Sequence, residues 1–175
     1  VVATGSLIAS SITGLPGHLV RRVSLDNINI SMKGGHPKIE SLDVPELPEK
    51  YPEAWMFGAL PAYGFYARHV EGLTMRGLQV RWEEEDLRPG LIFDDVRELH
   101  LDAFSTDTAA GGAPVVQLHN ARGVLVRGAR VPAGARLFLK VTGADSRDIR
   151  LADGQIRAAA QVELGPEVTA GAVTK

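Results

Sequence analysis

A unit of 25 or 26 residues recurs along this chain, and that repeat constrains the fold more than any other feature. Four nine-residue segments align without gaps: Val70–Leu78, Val96–Phe104, Ala121–Ala129 and Ser146–Gly154. Their fourth positions are Leu73, Leu99, Val124 and Ile149, stepping by 26, 25 and 25 residues, and their sixth positions are Met75, Leu101, Val126 and Leu151. Between these lie Thr74, His100, Leu125 and Arg150, three of the four polar or amphipathic. Alternation of this kind is the signature of a strand with one buried face. A fifth copy, Val20–Ile30, stands upstream. Its Val23 precedes Leu73 by 50 residues, which reads as one repeat plus an excursion over 33–62.

A second short strand is expected before each copy, at 64–69, 91–94, 115–119 and 138–141. Asp94-Asp95, Asn120 and Gly143 fall near the junctions, where tight corners call for left-handed backbone angles. No stretch of 10–12 residues has helical periodicity. A leucine-rich repeat shares the period but requires an Asn where Leu78 and Phe104 stand. A β-sandwich would not explain so regular a step. The pattern predicts an all-β chain, a right-handed parallel β-helix wound as a single solenoid domain over 1–175. Its coils are expected at about 5–32, 63–83, 90–107, 114–132 and 137–156, with a loop insertion at 33–62 and a C-terminal cap or tail at 157–175. In such a fold like residues stack, so Leu73, Leu99, Val124 and Ile149 would form one interior ladder and Met75, Leu101, Val126 and Leu151 another.

Composition narrows the partners. With 175 residues, 45% hydrophobic and 23% charged, the chain suits one globular core. A net charge of −2 offers no basic field for a polyanion, so no nucleic acid is expected. No apolar run approaches the roughly 20 residues that span a bilayer, so no membrane partner is expected either. The absence of cysteine excludes disulfides and thiolate sites. The first residues already read as strand, with no signal-peptide pattern, which suggests a chain that begins inside a fold.

The excursion 33–62 is the unusual segment. It carries five prolines, which are incompatible with a regular ladder, together with Tyr51, Trp55, Met56 and Phe57. Aromatics beside carboxylates on a long loop suit carbohydrate subsites. The plainer reading is a loop held down by its own apolar side chains. Tyr66 and Arg68 share one face of a short strand, where Arg68 can bind a uronate carboxylate or instead bridge coils structurally. The run Glu83-Glu84-Glu85-Asp86 lacks the alternation of a Ca²⁺ loop and is expected to be a solvated turn. The five histidines show no metal-ligand spacing, and His100 and His119 are expected to face outward. No metal and no cofactor is expected.

Two stretches resemble a known family. Ser10–His18 followed by Val23–Ile28, and Tyr51-Pro52-Glu53-x-x-Met56-Phe57-Gly58-x-Leu60-Pro61-Ala62-Tyr63-Gly64-Phe65-Tyr66-x-Arg68-His69, resemble the late coils of polygalacturonase-like proteins of glycoside hydrolase family 28, nearest the bacterial branch. The resemblance covers about residues 5–105. It implies a pectate-lyase-like β-helix that is secreted or periplasmic and hydrolyses pectic polysaccharide with inversion, an acid protonating the glycosidic oxygen while a base activates water. The family's Asn-Thr-Asp, Gly-His-Gly and Arg-Ile-Lys elements are missing here, and Gly17-His18 and Gly35-His36 are followed by Leu19 and Pro37. Catalytic residues are therefore expected upstream of Val1, with none in this chain. The substrate-binding candidates are Tyr51, Glu53, Trp55, Tyr66, Arg68 and His69. The implied partners are a pectic polysaccharide, the upstream part of the same polypeptide or another chain, and a second copy meeting it through the open β-helix ends. The rival reading is a non-catalytic β-helix serving carbohydrate binding or assembly.

Overall fold

The computed structural model describes residues 1–39, 41–152 and 161–175. Glu40 in the expected insertion, and 153–160 at the junction of the last expected coil and the tail, lie outside the described residues. Among the described residues the chain is all-β, with no helix and with twelve strands in one largely parallel sheet. These are β1 (Val2–Ser6), β2 (Ser10–Thr13), β3 (Val20–Gly34), β4 (Phe65–Glu84), β5 (Leu91–Asp102), β6 (Ser105–Thr106), β7 (Val116–His119), β8 (Arg122–Arg127), β9 (Leu139–Thr142), β10 (Arg147–Leu151), β11 (Val162–Leu164) and β12 (Val173–Thr174). The architecture is compatible with a β-helix.

The pairing follows the repeat. Val23, Leu73, Leu99, Val124, Ile149 and Val173 are successive partners across β3, β4, β5, β8, β10 and β12. Leu25, Met75, Leu101, Val126 and Leu151 form the next inward ladder. A second set crosses β4, β5, β7, β9 and β11, with Phe65, Leu91, Val116, Leu139 and Val162 in one row and Ala67, Phe93, Leu118, Val141 and Leu164 in another. Leu73, Leu99, Leu118 and Leu139 have no solvent exposure, and burying each stabilises the fold by roughly 1.5–3 kcal/mol. The tail contributes to these rows: β11 pairs with β9, β12 pairs with β10, and Val168 and Ala172 are buried in the main core.

Long strands such as β4 stay paired while changing direction because single residues bend them in the left-handed region. These residues stack as the inward ones do. His69, Asp95, Asn120 and Gly143 form one corner, Arg22, Gly72, Glu98, Gly123 and Asp148 a second, and Asn27, Gly77, Ala103 and Gly128 a third, all with φ between 45° and 84°. Glycine enters this region freely, whereas residues such as Glu98 and Ala103 do so against steric cost, held there by the paired backbone on either side.

The excursion leaves after Gly34, two residues later than the sequence suggested, since Gly34 is still paired with Glu84. It then returns over the outer surface of β2, β4 and β5. Val44, Leu60 and Ala62 pack with Ala9, Tyr66 and Ile92, joined by the half-buried Leu42 and Phe57. The acidic run differs from expectation at its last member. Glu83, Glu84 and Glu85 are exposed, but Asp86 is buried. Arg88 grips it through Nε (2.9 Å) and Nη2 (2.8 Å), the backbone N–H groups of Arg88 and His36 donate to it at 3.0 and 3.3 Å, and Arg88 Nη1 donates to the Leu60 carbonyl at 3.0 Å. The pair thus ties both ends of the excursion to the loop after β4. A run of like charges reads as solvated because nothing local reveals that a residue two positions on will fold back to meet one of them. Burial alone would push the Asp86 carboxyl up, but the hydrogen bonds and charge of Arg88 outweigh it and hold the group below the ordinary carboxylate range.

Two outcomes are expected in urea unfolding. Leu99→Ala costs about 2–5 kcal/mol through the cavity it leaves, while His100→Ala, on the exposed side of the same strand, is near neutral. Asp86→Asn costs about 3–5 kcal/mol at pH 7 because it strands a buried guanidinium. A depressed folded-state pKa stabilises above the unfolded value and is lost as pH falls through the folded one, so the gap between this variant and the natural protein narrows below about pH 4.

Candidate functional site

Alternation that buries Phe65, Ala67, Leu91 and Phe93 turns their neighbours outward. The outward residues form two outer rows. One is Ser11, Tyr66, Ile92, Gln117, Lys140 and Glu163, and the other is Thr13, Arg68, Asp94, His119 and Thr142. The excursion covers the first half of this face, and the second half, from Gln117 and His119 onward, is partly open to solvent.

At the covered end, Arg68 is 4% exposed. Its Nη1 donates to the Val44 carbonyl, its Nη2 donates to the Pro45 carbonyl at 3.1 Å, and Nη1 lies 3.2 Å from Glu46 Oε1. The guanidinium also stands 5.7 Å from the Phe57 ring centre and 5.9 Å from that of Tyr66. Its terminal donors are engaged by the excursion. His69, at the corner, places Nδ1 2.8 Å from Asp95 Oδ2 and Nε2 2.9 Å from Glu46 Oε1. Through its two ring nitrogens it bridges the excursion to the next strand. The Tyr66 side chain is wholly buried, and burial together with the nearby Asp94 charge pushes its phenol upward.

At the boundary sits Asp94. Burial is the main influence and raises its carboxyl above the ordinary range, Asp95 adds to the rise, and His119, Arg68 and His69 oppose it. Next along the row, His119 Nδ1 lies 3.0 Å from Thr142 Oγ1, whose own proton is directed to the Leu118 carbonyl at 3.3 Å. These contacts hold the His119 ring on the outer face beside Asp94. Beyond it, Glu167 accepts from the Gly143 N–H at 2.6 Å, and that bond lowers its carboxyl.

The six residues singled out from sequence thus separate into three places. Tyr66, Arg68 and His69 converge beneath the excursion. Tyr51, 85% exposed, and the exposed Glu53 stand on its outer surface. Trp55, 60% exposed, lines a groove of about 420 Å³ with Leu7, Ile8 and Ala9 on one side and Lys33, His36, Leu60 and Arg88 on the other. Lys33 is held there by Glu84 (3.1 Å) and Glu83 (3.3 Å). Sequence reasoning left out Glu46, Asp94, His119, Lys33 and His36. The signal for two of them was present: Asp94 and His119 follow Arg68 at the repeat spacing and so belong to its row.

No protein-family model, curated protein or solved structure matches this chain. The function is therefore argued from residues and geometry.

A carboxyl raised above its unfolded pKa stabilises below that unfolded value, and the contribution is lost as pH rises through the folded one. Asp94→Asn is accordingly expected to raise the melting temperature at pH 7 and to leave it unchanged near pH 3, as read by differential scanning calorimetry at the two pH values.

Proposed function

We propose that this chain is the C-terminal part of a right-handed parallel β-helix glycoside hydrolase of the polygalacturonase-like family, secreted or periplasmic, that acts on pectic, uronic-acid polysaccharide. In this reading it supplies substrate contacts, and the catalytic carboxylates come from coils upstream. The parallel stacking of residues one repeat apart supports the β-helix, and the Tyr-Pro-Glu to Arg-His stretch supports the family.

The observation that carries the binding role is Trp55. A large indole left 60% exposed on the wall of a groove of about 420 Å³ offers a flat apolar surface to the C–H face of a pyranose. Lys33 and His36 on the same groove bring N–H donors for a uronate carboxylate and ring hydroxyls. Tyr51 and Glu53, exposed nearby in sequence, extend the surface with a second aromatic and an acceptor. Arg68 and His69 then act indirectly, by fixing the excursion on which Trp55 stands.

A second reading rests on a different observation. Among the described residues the far edge of β1 has no strand partner, and Val1, Val2 and Leu7 are exposed beside it. An open parallel edge of this kind can stack on further coils or on a second copy, which is the assembly role.

Titration calorimetry of the 175-residue chain with oligogalacturonides checks the first reading. Trp55→Ala is expected to weaken binding roughly fivefold, in line with an aromatic contact of about 1 kcal/mol, without altering the melting temperature. Unchanged affinity would remove Trp55 from the site. Turnover of polygalacturonate by this chain alone would overturn the upstream placement of the catalytic groups.

A further inference from the structure

Another concavity lies away from the face described above. It is a basin of about 480 Å³ on the outer side of the last part of β4 and of β6, lined among others by Arg81, Trp82, Ser105, Asp107, Thr108 and Arg130. An adjoining hollow of about 190 Å³ is lined again by Arg81, Ser105 and Arg130, with Gln79 beside them. The repeat brings these residues together. Gln79 pairs with Ser105, Ser105 bridges to Arg130, and Arg81 stands two residues beyond Gln79 and therefore on the same face. Neighbouring parallel strands lie about 4.8 Å apart, so two long arginine stems two strands apart reach over one shared basin.

Several outward arginines on these and neighbouring strands have carboxylate partners: Arg21 with Glu71 (3.0 Å), Arg76 with Asp26 (3.2 Å) and Arg127 with Asp102 (2.7 Å). Arg81 and Arg130 have neither an ion pair nor a side-chain hydrogen bond among the described residues, and the hydroxyls of Ser105 and Thr108 are likewise unengaged. Among the described residues the carboxylate lining the basin, Asp107, accepts the Trp82 N–H at 3.1 Å and pairs with neither arginine. Two guanidiniums without an ion pair over one concavity, with unengaged hydroxyls in its lining, favour an oxyanion. The planar fork of each guanidinium matches a carboxylate or phosphate in two-point contact. The volume suits a sugar-sized molecule.

We propose that this basin is a binding site for a small hydroxylated anion, a sugar phosphate or sugar acid, whose charged group is held between Arg81 and Arg130 and whose hydroxyls meet Ser105 and Thr108. The site is separate from the Trp55 groove and does not depend on the role proposed for it. Trp82 forms part of the wall, packed edge-on against Tyr63 with ring centres 5.2 Å apart, and it is one of only two tryptophans in the chain.

The full chain carrying Trp55→Phe leaves Trp82 as the sole indole, so its fluorescence reports on the basin alone. Titration with glucose 6-phosphate, glucuronate, inorganic phosphate and glucose is expected to show saturable binding of at least one of the two sugar anions. That anion should bind at least tenfold tighter than glucose and tighter than inorganic phosphate. Arg81→Gln and Arg130→Gln should each weaken it at least fivefold while leaving the urea midpoint unchanged, since both side chains are exposed and unpaired. Anions binding no better than glucose, or undiminished binding in the double variant, would overturn the site. Inorganic phosphate binding as tightly as glucose 6-phosphate would overturn recognition of the hydroxylated body.

Discussion

The structure depends on one constraint, the parallel hydrogen-bonded register between residues one repeat apart. Strand backbone groups find their partners in the neighbouring repeat, so through most of the sheet the position of each residue is dictated by the one about 25 places away. The inward rows built on Leu73 and Met75 follow, and so do the corner rows built on His69, Gly72 and Gly77. A corner must turn at the same place in each repeat or the pairing on both sides is lost. That requirement holds Glu98, Ala103 and Asp148 in a backbone region that glycine would enter more easily.

The same register organises the outside. Stacking that aligns leucines inward aligns Arg68, Asp94, His119 and Thr142 outward, and the excursion then divides that row. Under the excursion, Arg68 is committed to the carbonyls of Val44 and Pro45, and Tyr66 becomes part of a second core. At its margin Asp94 is desolvated, and further along, His119 and Glu167 remain accessible to solvent. One insertion therefore sets which polar residues serve as structure and which remain available to a ligand. It also carries Trp55 to the groove beside Leu7–Ala9.

Much of this was legible in advance. Inward rows and corner positions depend on spacing and residue type, which a sequence displays directly, and Asp95, Asn120 and Gly143 all take the left-handed angles their positions called for. The candidate site was legible only in pieces. Tyr66 and Arg68 were placed on one face because alternation places them there. Their burial was not visible, because it comes from Val44, Leu60 and Phe57, which approach from the excursion rather than from the repeat. Asp86 was misread for the same reason: its partner Arg88 is adjacent in sequence, but burial of the pair depends on Leu60 and His36 folding over it.

By itself, then, the sequence determined the parallel stacking, the two principal inward rows and the existence of a single long insertion. These are periodic properties, and periodicity is a one-dimensional signal. Only the tertiary structure decided that Arg68 and His69 fasten the insertion, that Asp94 is desolvated, that Trp55 faces a groove and that Arg81 and Arg130 share a basin with no ion pair to either among the described residues. Those outcomes depend on which segments meet across the surface, and the insertion, having no period, meets the repeats at places that no spacing rule specifies.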